Sequence, residues 1–121
     1  MLFRSWAFST TTAYACEPED LTLAPGGEGR SQLTVHGDHL WYDSLISPDA
    51  ELRGQPIHGA DADANGDITL DELAAVPLAP TGLDVGPYSD IHDLAAYVSL
   101  LTQTLGHIDG EGHCQVDLSA R

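Results

Sequence analysis

The sequence predicts a mixed α+β fold: a small antiparallel sheet from the N-terminal third, then an acidic loop with short helices, then one longer amphipathic helix. Three observations carry this. Trp6, Phe8, Thr10, Thr12, Tyr14 and Cys16 alternate with smaller residues, the period of a strand built from aromatic and β-branched side chains. Ile91, Leu94, Ala95, Val98, Leu101 and Leu105 recur at spacings of three and four, the period of a helix with one apolar stripe. Between these segments Pro and Gly recur too often for any long element.

In chain order, residues 6–36 read as strands. The first ends at the turn Glu17-Pro18-Glu19-Asp20, Leu21-Thr22-Leu23 is a short strand, and Pro25 to Gly29 is a loop by composition. From Ser31 to His36 the alternation returns, with Leu33 and Val35 on one face and Gln32, Thr34 and His36 on the other. Asp38 is placed to cap a short helix over His39–Ile46 that Pro48 stops. In the lead-in from Ser47 to Ala60, Pro48, Gly54, Pro56 and Gly59 leave room for a turn or two of helix around Asp49–Arg53. A short helix over Leu70–Val76 is cut by Pro77. Residues 89–106 form the main helix, with Ser89 as N-cap and Gly106 as terminator. The tail, residues 107–121, reads as an irregular loop. Met1 to Ser5 carries no structural logic, so a start inside a longer native chain is expected. Ala13-Tyr14-Ala15 before Cys16 also has the look of a processing site, although Ser9-Thr10-Thr11-Thr12 interrupts any apolar run before it.

The chain has 121 residues, the size of one domain (1–121) with a modest core. Its net charge is −15, from 19 acidic side chains against 4 basic ones, all Arg. Such a surface excludes nucleic acid, because phosphate contacts need basic side chains, and an anionic membrane would repel it. Cations are the natural partners, and a bound one would relieve the self-repulsion of the folded state. The sequence holds no apolar run long enough to span a membrane.

The densest signal is Asp61-Ala62-Asp63-Ala64-Asn65-Gly66-Asp67-Ile68-Thr69-Leu70-Asp71-Glu72. Oxygen side chains stand at positions 1, 3 and 5, Gly at 6, an apolar residue at 8 and Glu at 12. Ca²⁺ takes six to eight oxygens, and a tight loop can supply them from alternate side chains. This stretch resembles the EF-hand calcium loop at every diagnostic position. The resemblance implies side-chain ligation by Asp61, Asp63 and Asn65, and a carbonyl from Asp67. It also implies a direct or water-mediated contact from Thr69, bidentate closure by Glu72, and a sharp turn at Gly66. Residues 37–77 then form an EF-hand-like helix-loop-helix region, with two departures: the entering helix is poor, and the loop is single. Asp109-Gly110-Glu111-Gly112-His113-Cys114 starts like a second loop but has Cys where Gly is needed. A lone loop implies a structural calcium staple rather than a switch that opens a Met-rich groove, and the chain has one Met.

Cys16 and Cys114 are the chain's 2 cysteines. In a small acidic domain with a calcium loop they read as one long-range disulfide, the alternative being two buried thiols. A closure of about a hundred residues is worth roughly 4–5 kcal/mol in the loop-entropy account. A disulfide implies an oxidising compartment, so a secreted or periplasmic protein, where millimolar Ca²⁺ fills even a weak site.

Four of the 6 histidines form two clusters, His36-Gly37-Asp38-His39 and His107 with His113. Imidazoles with a carboxylate at this spacing can hold Zn²⁺ or Cu²⁺. His36, His39, His107 and His113 are therefore candidate ligands of a second metal, the alternative being caps and surface positions. His58 and His92 stand alone. The order of features, from strand to His pair to acidic loop to helix to His-Cys tail, is similar to a group of bacterial secreted proteins; the resemblance implies secretion and carries no known activity with it. No Ser/His/Asp arrangement with supporting context, no phosphate loop and no HExxH is present. A calcium-binding secreted domain is expected, with a transition-metal binding protein using the His cluster as the alternative. An enzyme is the weaker expectation, its one open form being a hydrolase built on the His cluster.

Overall fold

The structure is a computed structural model that describes residues 22–109 in full. It also describes the backbone of β1 (Thr11–Tyr14), β4 (Gly112–His113) and β5 (Gln115–Leu118). The other elements are β2 (Leu33–Val35), α1 (Gln55–His58), α2 (Leu70–Ala74), α3 (Leu94–Leu101) and β3 (Gly106–Ile108), with 3₁₀ turns at Gly37–Trp41, Ala79–Thr81 and Thr102–Thr104. The mixed α+β class stands. No described helix is long and apolar enough to cross a membrane.

The strands pair across the length of the chain. β1 runs antiparallel to β5, with Thr11 opposite Leu118 and Tyr14 opposite Gln115. A three-stranded sheet has the order β2-β3-β4, all antiparallel. The tail is therefore not an irregular loop: it supplies β3, β4 and β5. Its Gly-rich composition hid this, because three short strands give no alternation long enough to read. Leu21–Leu23 falls outside the described residues at Leu21, and Thr22 and Leu23 are not strand. In β2, Leu33 and Val35 are 65% and 69% exposed, whereas Thr34 is half-buried. The polar face of this strand, with Thr34 and His36, is therefore its more buried one, and Thr34 stands opposite His107 of β3.

The core lies under the centre of the chain. Ile57, Ala60, Ile68, Leu73, Leu78, Leu94, Tyr97, Val98 and Leu101 form one buried cluster, with Trp41, Tyr42, Leu45, Val76 and Ile91 packed on it. Fully burying such a side chain is worth about 1.5–3 kcal/mol. Isolated bridges stitch the irregular backbone to this core: Tyr42 with Leu52, Ser44 with Asp84, and Pro77 with Asp93. The Tyr97 hydroxyl crosses the core to donate to the Tyr42 carbonyl at 2.9 Å.

Helix boundaries differ from the sequence reading, and α2 stops at Ala74 rather than Val76. The turn before the acidic loop is α1 at Gln55–His58, not Asp49–Arg53. Pro56 sits in its first turn, where the missing N–H costs nothing. The main helix starts at Leu94 with Asp93 as N-cap, whose carboxylate accepts from the Ala96 N–H at 2.9 Å. Ser89 is not the cap, because Pro77 and Asp93 bridge and hold the chain extended just before Leu94. With the 3₁₀ turn that follows, this helix ends at Thr104. The helix expected over His39–Ile46 is the 3₁₀ turn Gly37–Trp41, capped by no side chain.

Candidate metal centres

The acidic loop hangs between buried anchors. Ala60 precedes it, Ile68 lies inside it and Leu73 follows it, at 2%, 7% and 0% exposure. These three anchors hold both ends of the loop on the core while its polar rim faces water. Gly66 takes φ 87°, the left-handed turn that favours Gly, and Ala64 takes φ 55°.

Within the loop, carboxylates bind backbone amides. Asp61 accepts from the Asn65 N–H at 3.1 Å and, through its other oxygen, from the Gly66 N–H at 3.0 Å. Asp63 accepts from the Asn65 N–H at 3.1 Å and from the Asn65 side-chain amide at 2.8 Å. The Asn65 side-chain oxygen accepts from the Asp67 N–H at 2.6 Å. Glu72 reaches back across the loop: Oε1 accepts from the Ala62 N–H at 3.1 Å, and Oε2 accepts from the Thr69 N–H at 2.8 Å. Thr69 and Glu72 form a capping box at the start of α2. The Thr69 amide and hydroxyl, with the amides of Ala62 and Asp63, hold the Glu72 carboxyl below its usual range. One ligand atom from each of Asp61, Asp63 and Glu72 lies within 4.8 Å of the other two.

Of the residues singled out in the loop, the structure brings Asp61, Asp63 and Glu72 together. Asn65, Asp67 and Thr69 lie in the same hydrogen-bonded turn. Asp109, the first residue of the incomplete second loop, takes φ 49° at the end of β3. Its carboxylate accepts from the Gln32 N–H at 2.7 Å and from the Ser31 hydroxyl at 3.3 Å, fastening that end to β2.

The second grouping forms where β2 ends against β3. The His36 N–H donates to the Leu105 carbonyl at 2.9 Å. In β3, His107 stands opposite Thr34 and, on its other side, opposite His113. The turn Gly37–Trp41 folds His39 back toward His36. The rings of His36 and His39 lie 5.2 Å apart, His36 and His107 4.5 Å, and His39 and His107 5.2 Å. One ligand atom each of His36, Asp38 and His39 lies within 4.8 Å of the others. Burial raises the Asp38 carboxyl, but its own backbone amide, the Tyr42 hydroxyl and the two imidazoles outweigh this and hold it below its usual range.

His36, His39 and His107 therefore meet, from segments about seventy residues apart. The side chain of His113 lies outside the described residues, and so do Cys16 and Cys114. The nearest described pair to the cysteines is Tyr14 opposite Gln115. Asp38 stands between His36 and His39, the carboxylate of the cluster that the sequence offers as a metal site. The Thr104 carbonyl, which both His39 and His107 face, leaves no trace in the sequence. Set beside known protein families, curated proteins and solved structures, the chain matches none of them.

Proposed function

We propose that this protein binds one Ca²⁺ ion in the loop Asp61–Glu72, and that the ion acts chiefly as a structural staple. The observation that carries the reading is the convergence of three carboxylates, from Asp61, Asp63 and Glu72, within a 4.8 Å span. Without a cation these groups repel one another, and a hard divalent ion is the partner their oxygens suit. Asn65, the Asp67 carbonyl and Thr69 complete the oxygen set. The short α1 and the single loop support a staple over a switch, because opening needs two paired helices able to swing. Bound Ca²⁺ would tie the core residues Ala60, Ile68 and Leu73 together through the loop between them. The same reading places the protein in a compartment with millimolar Ca²⁺, outside the cell or in the periplasm.

The test is a thermal melt of EDTA-stripped protein against added Ca²⁺, beside a calorimetric titration. A site with Kd on the order of 10⁻⁴–10⁻³ M gives about 1.4–2.7 kcal/mol at 10 mM Ca²⁺, which raises Tm by roughly 5–15 °C. No rise in Tm at that concentration overturns the reading.

A further inference from the structure

His36, Asp38 and His39 converge from a strand end and the 3₁₀ turn after it, well apart in sequence from the acidic loop. We propose that these three residues hold a Zn²⁺ ion, with the backbone carbonyl of Thr104 orienting His39 as a ligand.

The ring geometry supports a shared ion. Two imidazoles bound tetrahedrally at about 2.0–2.1 Å place their ring centres about 5.2 Å apart. The centres of His36 and His39 are 5.2 Å apart. Nδ1 of His36 and Oδ1 of Asp38 lie 3.9 Å apart, too far for a hydrogen bond. Two ligands of one tetrahedral ion stand about 3.3 Å apart, so a small closure brings both atoms onto it.

The tautomer of His39 supports the same role. Its Nδ1 lies 2.8 Å from the Thr104 carbonyl and 3.2 Å from the Thr104 hydroxyl. A carbonyl only accepts, so Nδ1 carries the proton and Nε2 carries the lone pair. Metal-binding histidines are oriented in this way, donating one ring N–H to a backbone carbonyl and ligating through the other nitrogen. The same carbonyl lies 3.1 Å from Nε2 of His107, so one acceptor aligns both rings. His107 is 2% exposed, and its ring backs both His36 and His39 as the wall of the site. Asp38 supplies the anionic ligand, and the Tyr42 hydroxyl donates to its Oδ2 at 3.2 Å, leaving Oδ1 toward His36. Three protein ligands leave a tetrahedral ion one position for water. His39 and His107 also line a cavity of about 330 Å³ that includes Ser44, Leu45 and Leu101.

The experiment uses the full chain without a His tag, stripped of metal and then saturated with Ca²⁺ so that the acidic loop is occupied. Zn²⁺ is titrated calorimetrically, and Co²⁺ is followed by its visible absorption. The expected result is one equivalent of Zn²⁺ bound, with intense tetrahedral Co²⁺ bands that Zn²⁺ abolishes. The double variant His36→Ala/His39→Ala weakens binding at least tenfold, and Asp61→Asn/Asp63→Asn leaves it unchanged. His36→Ala alone, at a half-exposed residue, is the milder variant should the double one melt early, and it weakens binding tenfold or more by itself. Absence of Zn²⁺ binding in the wild type overturns the proposal. So does undiminished binding in the His36 variant, loss of binding in the Asp61/Asp63 variant, or a weak octahedral Co²⁺ spectrum.

Discussion

Thr69 and Glu72 hold each other from both sides. The Thr69 amide and hydroxyl each donate to Glu72 Oε2 at 2.8 Å, and the Glu72 amide donates back to the Thr69 hydroxyl at 3.2 Å. One carboxylate therefore caps α2 and closes the acidic loop, and the two roles are separable by substitution. Glu72→Gln keeps an oxygen that accepts from Thr69, so the metal-free protein melts near the wild type. With Glu72 as a ligand of the proposed Ca²⁺ site, its Ca²⁺ affinity is expected to fall by at least about tenfold, since even the outer-shell partners of metal ligands are worth 10–100-fold. Glu72→Ala loses both roles and melts lower than Glu72→Gln in EDTA. Melts with and without Ca²⁺ check the split, and equal Ca²⁺ response in wild type and Glu72→Gln contradicts it.

Gly86 is required twice over. Its φ is 54°, and a Cβ added there would lie 2.5 Å from Ile46 Cδ1 and 2.9 Å from Ile46 Cγ1. Gly86→Ala is expected to cost about 1–2 kcal/mol from the left-handed backbone alone, with the displacement of Ile46 added. Ile46 is 54% exposed, so Ile46→Ala is cheap by itself. The double variant Gly86→Ala/Ile46→Ala should recover the steric part and retain the backbone part. Thermal denaturation of the four proteins measures both shares.

Tyr97 makes stability sensitive to alkali. Burial, with the negative charges of Asp43 and Asp84, pushes its phenol well above the ordinary 10.0. The unfolded chain ionises near that ordinary value while the folded chain keeps the proton. The folded state thus holds more protons above this pH, and stability falls as pH rises past about 10. Below it the term is absent. Tyr97→Phe removes the titration and flattens the alkaline limb of a stability-against-pH curve. At neutral pH it costs about 1–2 kcal/mol, because the hydrogen bond of the buried Tyr97 hydroxyl to the Tyr42 carbonyl is lost. A variant curve parallel to the wild type above pH 10 contradicts this account.

Much of the loop could be read without a structure, because its information is local. Asp61, Asp63, Gly66, Ile68 and Glu72 lie within twelve residues, and backbone sterics alone require Gly at the turn. The capping box is equally local, since Thr69 and Glu72 are three apart, although the sequence reading gives both residues only as ligands. The apolar stripe of α3 is also legible, with Leu94, Val98 and Leu101 all buried, but the helix starts at Leu94 rather than after Ser89. Asp93 outcompetes Ser89 as cap because the bridge to Pro77 holds the preceding backbone extended, and that bridge is a tertiary contact.

By itself, the sequence determined the mixed α+β class, the acidic character and the spacing of oxygen side chains in the loop, each a matter of composition or of spacing within a few residues. Only the tertiary structure decided how distant segments join. It paired β1 with β5 and β2 with β3, turned Leu33 and Val35 outward, and set His107 beside His36 and His39. It also brought Thr104 under two histidine rings. The physical reason is register: hydrogen bonds between strands about seventy to a hundred residues apart set which side chains face each other. No pattern within a few residues encodes that choice, because it depends on contacts between segments far apart in the chain.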